Sequence, residues 1–88
     1  MNKEKITDYL IKKLKKIRPI EKKHFKNIDK FNFISSRHID SIEILKFNFE
    51  IEDKFQISFK SNELVIKTHG TIGGLSSLIF KKLSKKLK

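Results

Sequence analysis

The stretch from Asp40 to Phe55 constrains the fold of this 88-residue chain more than any other segment. It contains no glycine or proline, so no turn signal interrupts it. Asp40 followed three residues later by Glu43 is the aspartate variant of a capping box, the pattern that satisfies unpaired N–H groups at a helix start. The stretch therefore predicts a long helix whose first turn contains Ser41.

The apolar residues of this stretch also admit a strand interpretation, because Phe47, Phe49 and Ile51 alternate with polar residues. The pair Ile44-Leu45 breaks that alternation, and the run is much longer than a typical strand. A helix arranges the apolar residues in two lines, Ile42, Leu45 and Phe49 on one and Ile44, Phe47, Ile51 and Phe55 on the other. So broad an apolar surface can face a bundle core and still line a cavity.

An amphipathic helix is predicted over residues 3–17. Ile6, Leu10 and Leu14 recur at helical spacing, and Pro19 disfavours continuation beyond Arg18. We expect this apolar stripe to pack on the protein's own core, although a basic amphipathic helix can also lie on an anionic membrane.

The other segments predict a small all-α domain. Residues 19–40 show no sustained period and are expected to form a long first loop, with or without a short helical turn. Some of its five isolated apolar residues are expected to pin it to the core: Ile20, Phe25, Ile28, Phe31 and Phe33. Ser61-Asn62-Glu63 suits the start of a short third helix, and Thr71 suits the N-cap of a last helix. The expected fold is a four-helix bundle of three main helices and a short third, in one domain over 1–88 with a basic tail frayed from about 84.

Composition excludes several kinds of site. Without cysteine the chain has no disulfide, no thiolate metal ligand and no thiol nucleophile. The three histidines, His24, His38 and His69, offer no helix-spaced pair for a metal, and each is expected to be solvated at the surface. No histidine completes a convincing triad with Ser41, so neither a catalytic site nor a metal site is expected.

The charged N-terminus has no apolar signal region, and no apolar run is long enough to cross a membrane. We therefore expect a cytoplasmic protein without an integral membrane segment. The net charge of +11 suggests a polyanion partner, but only Arg18 and Arg37 of its 21 basic residues are arginines, which favour bidentate phosphate recognition. Residues 40–55 carry five acidic residues against two lysines, a net of −3 that leaves +14 elsewhere.

Short motifs occur in a fixed order around Ser41. Phe33 stands eight residues before it, and Asp40-Ser41-Ile42 leads into a helix that ends in Glu52-Asp53-Lys54-Phe55. Ile57 and Phe59 follow, and then Thr71-Ile72-Gly73-Gly74-Leu75. This ordered set, over roughly residues 28 to 80, resembles the acyl carrier protein family, also called phosphopantetheine-binding carrier domains.

The resemblance implies a prosthetic group and no enzymatic activity. A phosphopantetheinyl transferase would attach the 4′-phosphopantetheine arm of coenzyme A to the Ser41 hydroxyl, with Asp40 assisting recognition and Ile42 beside the arm. The arm's thiol would hold an acyl or aminoacyl group as a thioester. The helix start would favour the arm's phosphate through unpaired N–H groups and the helix dipole.

The resemblance also implies partners. Glu43, Glu50, Glu52 and Asp53 would meet basic patches on acyl-loading and acyl-using enzymes, although an ordinary solvated helix face would look the same. A monomer without a nucleic-acid partner is expected.

Arg37-His38 stands where many family members have Leu-Gly, and Lys60 stands where proline is usual. With the basic charge, the Arg37-His38 departure favours a specialised lipid, polyketide or surface-polysaccharide pathway over housekeeping fatty acid biosynthesis. The alternative is a small basic module that binds nucleic acid or an anionic membrane surface.

Overall fold

The computed structural model describes residues 2–60 and 69–86, and every regular element in these ranges is helical. Helix α1 spans Lys3–Ile17, a 3₁₀ helix spans Lys22–Lys30, α2 spans Ser41–Phe55 and α3 spans Ile72–Lys86. The all-α prediction is thus confirmed, and the strand interpretation of α2 is wrong. The short helix predicted after Ser61 lies outside the described residues.

Helix α1 has the predicted bounds and the predicted orientation. The Asn2 side chain accepts a hydrogen bond from the Lys5 N–H at 2.9 Å, which caps the first turn. Ile6, Leu10 and Leu14 are completely buried, so the apolar face of α1 packs inside the protein and is not available to a membrane. The chain becomes extended at Arg18, as the following proline requires.

The long loop before α2 contains more structure than its sequence indicated. It forms two short 3₁₀ segments separated by a kink at Asn27, within Lys22–Lys30. Around Asn32 and Thr71 an isolated bridge ties the loop to the start of α3, with the Phe33 N–H donating to the Gly70 carbonyl at 2.9 Å. Phe33 is 1% exposed, so the loop supplies core residues as well as a connection.

Helix α3 begins as predicted. The Thr71 hydroxyl accepts a hydrogen bond from the Gly74 N–H at 3.0 Å. A Cβ atom added to Gly73 would lie 3.0 Å from both the Cβ and the carbonyl oxygen of Asp29, so this glycine permits α3 to approach the 3₁₀ helix closely. The helix continues to Lys86, beyond the point at which the sequence predicted a frayed tail.

One hydrophobic core joins the three α-helices and the loop. Its buried members are Ile6, Leu10, Leu14, Ile20, Phe31, Phe33, Ile39, Phe47, Ile51, Phe55, Ile72, Leu75 and Ile79. Between α1 and α3 the hydroxyls of Thr7 and Ser76 share a 2.9 Å hydrogen bond. Among the described residues, no helix is long and apolar enough to cross a bilayer.

Candidate functional site

The start of α2 is held by a complete capping box. The Asp40 carboxylate accepts hydrogen bonds from the N–H groups of Ile42 (3.0 Å) and Glu43 (2.8 Å). In return the Glu43 carboxylate accepts the Asp40 N–H at 2.9 Å. Both halves of the predicted motif are present, because Asp40 is extended (φ −89°) and directs its side chain back onto the first turn.

Arg18, from the end of α1, fixes this helix start to the rest of the protein. Its Nη1 atom donates to the Glu43 carboxylate at 2.8 Å and to the His38 carbonyl at 2.7 Å. The hydrogen bond between the two side chains raises the pKa of Arg18 and lowers the pKa of Glu43, and the Asp40 N–H lowers the Glu43 pKa further. The first turn of α2 is therefore anchored over a sequence separation of 25 residues.

Ser41 is exposed at the first position of α2. Within the described part of the chain its hydroxyl makes no hydrogen bond, because the cap is supplied by Asp40. The N–H groups of Ile42 and Glu43, expected from the sequence to be open to a phosphate, are already bonded to Asp40. The site thus offers an accessible hydroxyl and a helix dipole, with two of the first-turn donors occupied.

The two apolar lines of α2 have opposite environments. Phe47, Ile51 and Phe55 are at most 7% exposed and form part of the core. The other line, Ile42, Leu45 and Phe49, is exposed at 78%, 62% and 68%. We call this second line the apolar stripe of α2; it begins at the residue that follows Ser41. Among the described residues, only the line with Phe47, Ile51 and Phe55 is covered by the rest of the fold.

A cavity of about 220 Å³ opens beside the buried line of α2. Its lining is mostly apolar and combines residues of the loop, of α2, of α3 and of the segment just before α3: Phe33, Ile34, Ile39, Ile44, Phe47, Asn48, His69 and Leu75. Ile39 and Ile44 flank Ser41 in sequence, two residues before it and three after it. The cavity therefore lies against the same helix turn that carries the exposed hydroxyl.

The acidic residues predicted to meet partners are mostly engaged within the protein. Glu43 pairs with Arg18, and Glu50 pairs with Lys13 on α1. Glu52 accepts the Phe59 N–H at 2.8 Å. Asp53 is exposed and has no ion-pair partner among the described residues. Ion pairs to described residues thus engage two of the four acids, Glu43 and Glu50, whereas Glu52 and Asp53 form none.

The long Lys13 side chain bridges α1 and α2. Burial lowers its pKa, and the neighbouring Lys16 and Lys46 lower it further, although its ammonium contacts Glu50. A crevice of about 200 Å³ lies between these helices and is lined mainly by the same charged side chains.

His38 is buried, contrary to the expectation that it is solvated. It is 8% exposed, and its Nε2 atom donates to the Leu14 carbonyl at 2.8 Å, because a carbonyl can only accept. Its ring meets Phe31 edge-on with centroids 5.5 Å apart. His24 and His69 are half-buried. Among the described residues, no three histidine, aspartate or glutamate side chains are grouped as metal ligands.

Comparison with known proteins does not assign this arrangement to a family. No protein-family model matches the chain, and no curated protein or solved structure matches it either.

Proposed function

We propose that the protein is a carrier that holds an acyl or aminoacyl group as a thioester on a 4′-phosphopantetheine arm attached to Ser41. The observation that carries this proposal is the exposed, unbonded Ser41 hydroxyl on the first turn of a helix capped by its neighbour Asp40. A serine that acts as the cap would have its oxygen occupied. Here Asp40 supplies the cap, so the Ser41 hydroxyl is left available for modification.

Attachment of the arm is a phosphoryl transfer on a partner enzyme. The Ser41 oxygen would form a bond to the phosphorus that carries the pantetheine, and the pyrophosphate bond of coenzyme A would break. Adenosine 3′,5′-bisphosphate would leave, and the hydroxyl proton would pass to a base on the transferase. The carrier supplies only an accessible nucleophile on a rigid turn, which Arg18 and the capping box hold in place.

The cavity beside α2 supports a small cargo. Its 220 Å³ lies below the usual 300–1,000 Å³ of ligand pockets. Each methylene group that leaves water contributes roughly 0.8 kcal/mol, so an acyl chain gains stability from the cavity only until the cavity is full. We therefore expect the melting temperature of the acylated protein to rise over the first few carbons and then to level off.

Partner enzymes would dock on the apolar stripe of α2, with Asp53 as the acidic contact. Ile42, Leu45 and Phe49 are at least 62% exposed, whereas Glu43 and Glu50 are already paired. This assignment changes the expected partner surface from an acidic to an apolar one. A short helix within residues 61–68, which would complete a four-helix bundle, and a specialised pathway remain parts of the proposal.

The test is attachment of the arm to Ser41. The full chain is incubated with a broad-specificity phosphopantetheinyl transferase and coenzyme A, and intact mass is measured. The wild type should gain the mass of one arm, on the peptide that contains Ser41. Ser41→Ala should gain nothing, while the matched control Ser58→Ala, which changes another exposed serine, should react like the wild type.

An unmodified wild type, or equal modification of Ser41→Ala, would remove the basis of the carrier proposal. A second candidate, a basic module that binds nucleic acid, is favoured by the exposed lysines Lys12, Lys15 and Lys16 on α1 and by the net charge of +11. It predicts oligonucleotide binding whose affinity falls steeply with salt, because bound counterions are released. Weak, salt-insensitive binding would exclude that candidate.

A further inference from the structure

A polar pocket of about 240 Å³ lies on the loop side of the α2 start. Its lining includes both arginines of the chain, two of its histidines and one acidic residue. The lining residues are Arg18, Pro19, Ile20, Glu21, His24, Phe31, Ser36, Arg37 and His38. This pocket is separate from the cavity beside α2, and the proposed carrier function assigns no role to it. Arginine is rare in the chain, so the meeting of Arg18 and Arg37 in one concave site is its distinguishing feature.

The two arginines retain unused hydrogen-bond donors. Both side-chain bonds of Arg18 to described residues use Nη1, so its Nε and Nη2 atoms keep three of the five guanidinium N–H groups. The Arg37 guanidinium makes no hydrogen bond to any described residue and is exposed. Together they offer about eight donors. The acidic lining residue, Glu21, is exposed and lies 3.5 Å from the ammonium of Lys23.

Arg37 is held in an unfavourable backbone conformation. Its φ of 60° is in the left-handed region, which side chains with a Cβ seldom adopt and glycine adopts freely. The turn is fixed by the Arg37 N–H, which donates to the Ile34 carbonyl at 3.0 Å. Glycine would fit this position with less strain.

Three of the side chains that line the pocket pack against one another. The ring of Phe31 packs against His24 (centroids 4.4 Å apart) and against His38 (5.5 Å). His38 is itself fixed by its bond to the Leu14 carbonyl. A preformed pocket loses little side-chain entropy when a ligand binds.

We propose that this pocket binds a phosphate group through Arg18 and Arg37. Arginine forks match the oxygens of phosphate and carboxylate, and they bind them more strongly than neutral donors do. Phosphate fits better than carboxylate here, because about eight donors exceed what two oxygens accept, and a phosphate monoester adds a third oxygen and up to two negative charges. The ligand is a free phosphate monoester; the phosphodiester of the proposed arm on Ser41, with two free oxygens and one negative charge, is the weaker competitor for the pocket.

Inorganic phosphate is the first probe, titrated into the unmodified full chain at constant ionic strength and followed by amide NMR shifts. We expect saturable shifts that cluster at Arg18, His24, Arg37 and His38. Arg37→Gln should weaken binding by about tenfold or more, and Arg37→Lys should weaken it too, because lysine keeps the charge but loses the fork. Lys3→Gln removes the same charge about 22 Å away along α1 and should leave affinity unchanged.

Three outcomes would overturn the proposal: shifts that do not saturate, shifts spread over all lysines, or equal losses in Arg37→Gln and Lys3→Gln. Equal affinity for acetate would overturn the choice of phosphate. The same titration on protein that carries the Ser41 arm separates the two sources. Lost phosphate binding identifies the arm's phosphodiester as the occupant, and retained binding identifies a free phosphate ester. Since the first titration uses unmodified protein, its result stands even if Ser41 is never modified.

Discussion

Replacement of Asp40 by alanine should destabilise the protein by about 1–2 kcal/mol, the usual cost of losing a helix N-cap. The carboxylate accepts two N–H groups, from Ile42 and Glu43, and both would lose their partner. Asp40 is exposed, so water can replace part of what is lost, and we expect a value near the lower end of that range. For a domain of this size, 1 kcal/mol lowers the melting temperature by roughly 4–8 °C.

Two further variants test the reasoning behind this magnitude. Asp40→Asn keeps the accepting oxygen and loses only the charge at the helix start, which contributes about 0.3–1 kcal/mol. Ser41→Ala, one residue along, should change stability by less than about 0.5 kcal/mol, because the hydroxyl is exposed and has no described partner. Ser41→Ala would then separate loss of modification from loss of folding.

The assay is urea denaturation of the full chain, followed by far-ultraviolet circular dichroism. The expected order of unfolding free energies is wild type and Ser41→Ala highest, Asp40→Asn lower and Asp40→Ala lowest. If Asp40→Asn were as damaging as Asp40→Ala, the charge and not the capping bond would be responsible. If Asp40→Ala matched the wild type, the capping box would have no energetic role.

Three other predictions concern stability. Because the pKa of Glu43 is lowered, its contribution to the free energy of unfolding is fully present above the ordinary pKa of 4.5 and is lost as pH falls through the lower folded-state pKa. The difference in stability between wild type and Glu43→Gln should therefore shrink below about pH 4.5. A difference that stays constant with pH would contradict this. Gly73→Ala should destabilise the protein by about 1 kcal/mol in thermal unfolding, although alanine has the better helix propensity, because the new Cβ would lie 3.0 Å from Asp29 of the 3₁₀ helix. The control Ser77→Ala, at an exposed position of the same helix, should stabilise by up to about 0.5 kcal/mol. A stabilising Gly73→Ala would show that the contact relaxes. Arg37→Gly relieves left-handed backbone at φ 60° and should stabilise by about 0.5–1 kcal/mol. Gln56→Gly relieves φ 55° but also removes the hydrogen bond from the Gln56 side chain to the Asp53 carbonyl, so it should stabilise less than Arg37→Gly; a larger gain from Gln56→Gly would refute this reasoning.

Local signals in the sequence were sufficient for the starts of the three α-helices, although they did not indicate the 3₁₀ helix. The spacing of Ile6, Leu10 and Leu14 predicted the buried face of α1, and the Asp40–Glu43 pattern predicted the start of α2 to the residue. Thr71 likewise marked the cap of α3. Caps and helical periodicity involve residues only a few positions apart, so one sequence contains all the information that they need.

Features that depend on distant contacts were not predictable. The two apolar lines of α2 look equivalent in sequence, and only the placement of the rest of the fold, such as Phe33 of the loop against Phe47, decides which one is buried. The pairing of Glu50 with Lys13 spans 37 residues. His38 was assigned to the surface because no local pattern indicates that a ring 24 residues away will bond to the Leu14 carbonyl.

The apolar stripe of α2 has a practical consequence for the behaviour of the protein in concentrated solution. Three large apolar side chains in a row form an adhesive surface, and mutual repulsion between molecules of net charge +11 keeps such surfaces apart. Salt removes that repulsion, since the screening length falls from about 10 Å at 0.1 M to about 3 Å at 1 M. Colloidal stability should therefore be greatest in dilute buffer, and high salt should drive the molecules together through Ile42, Leu45 and Phe49.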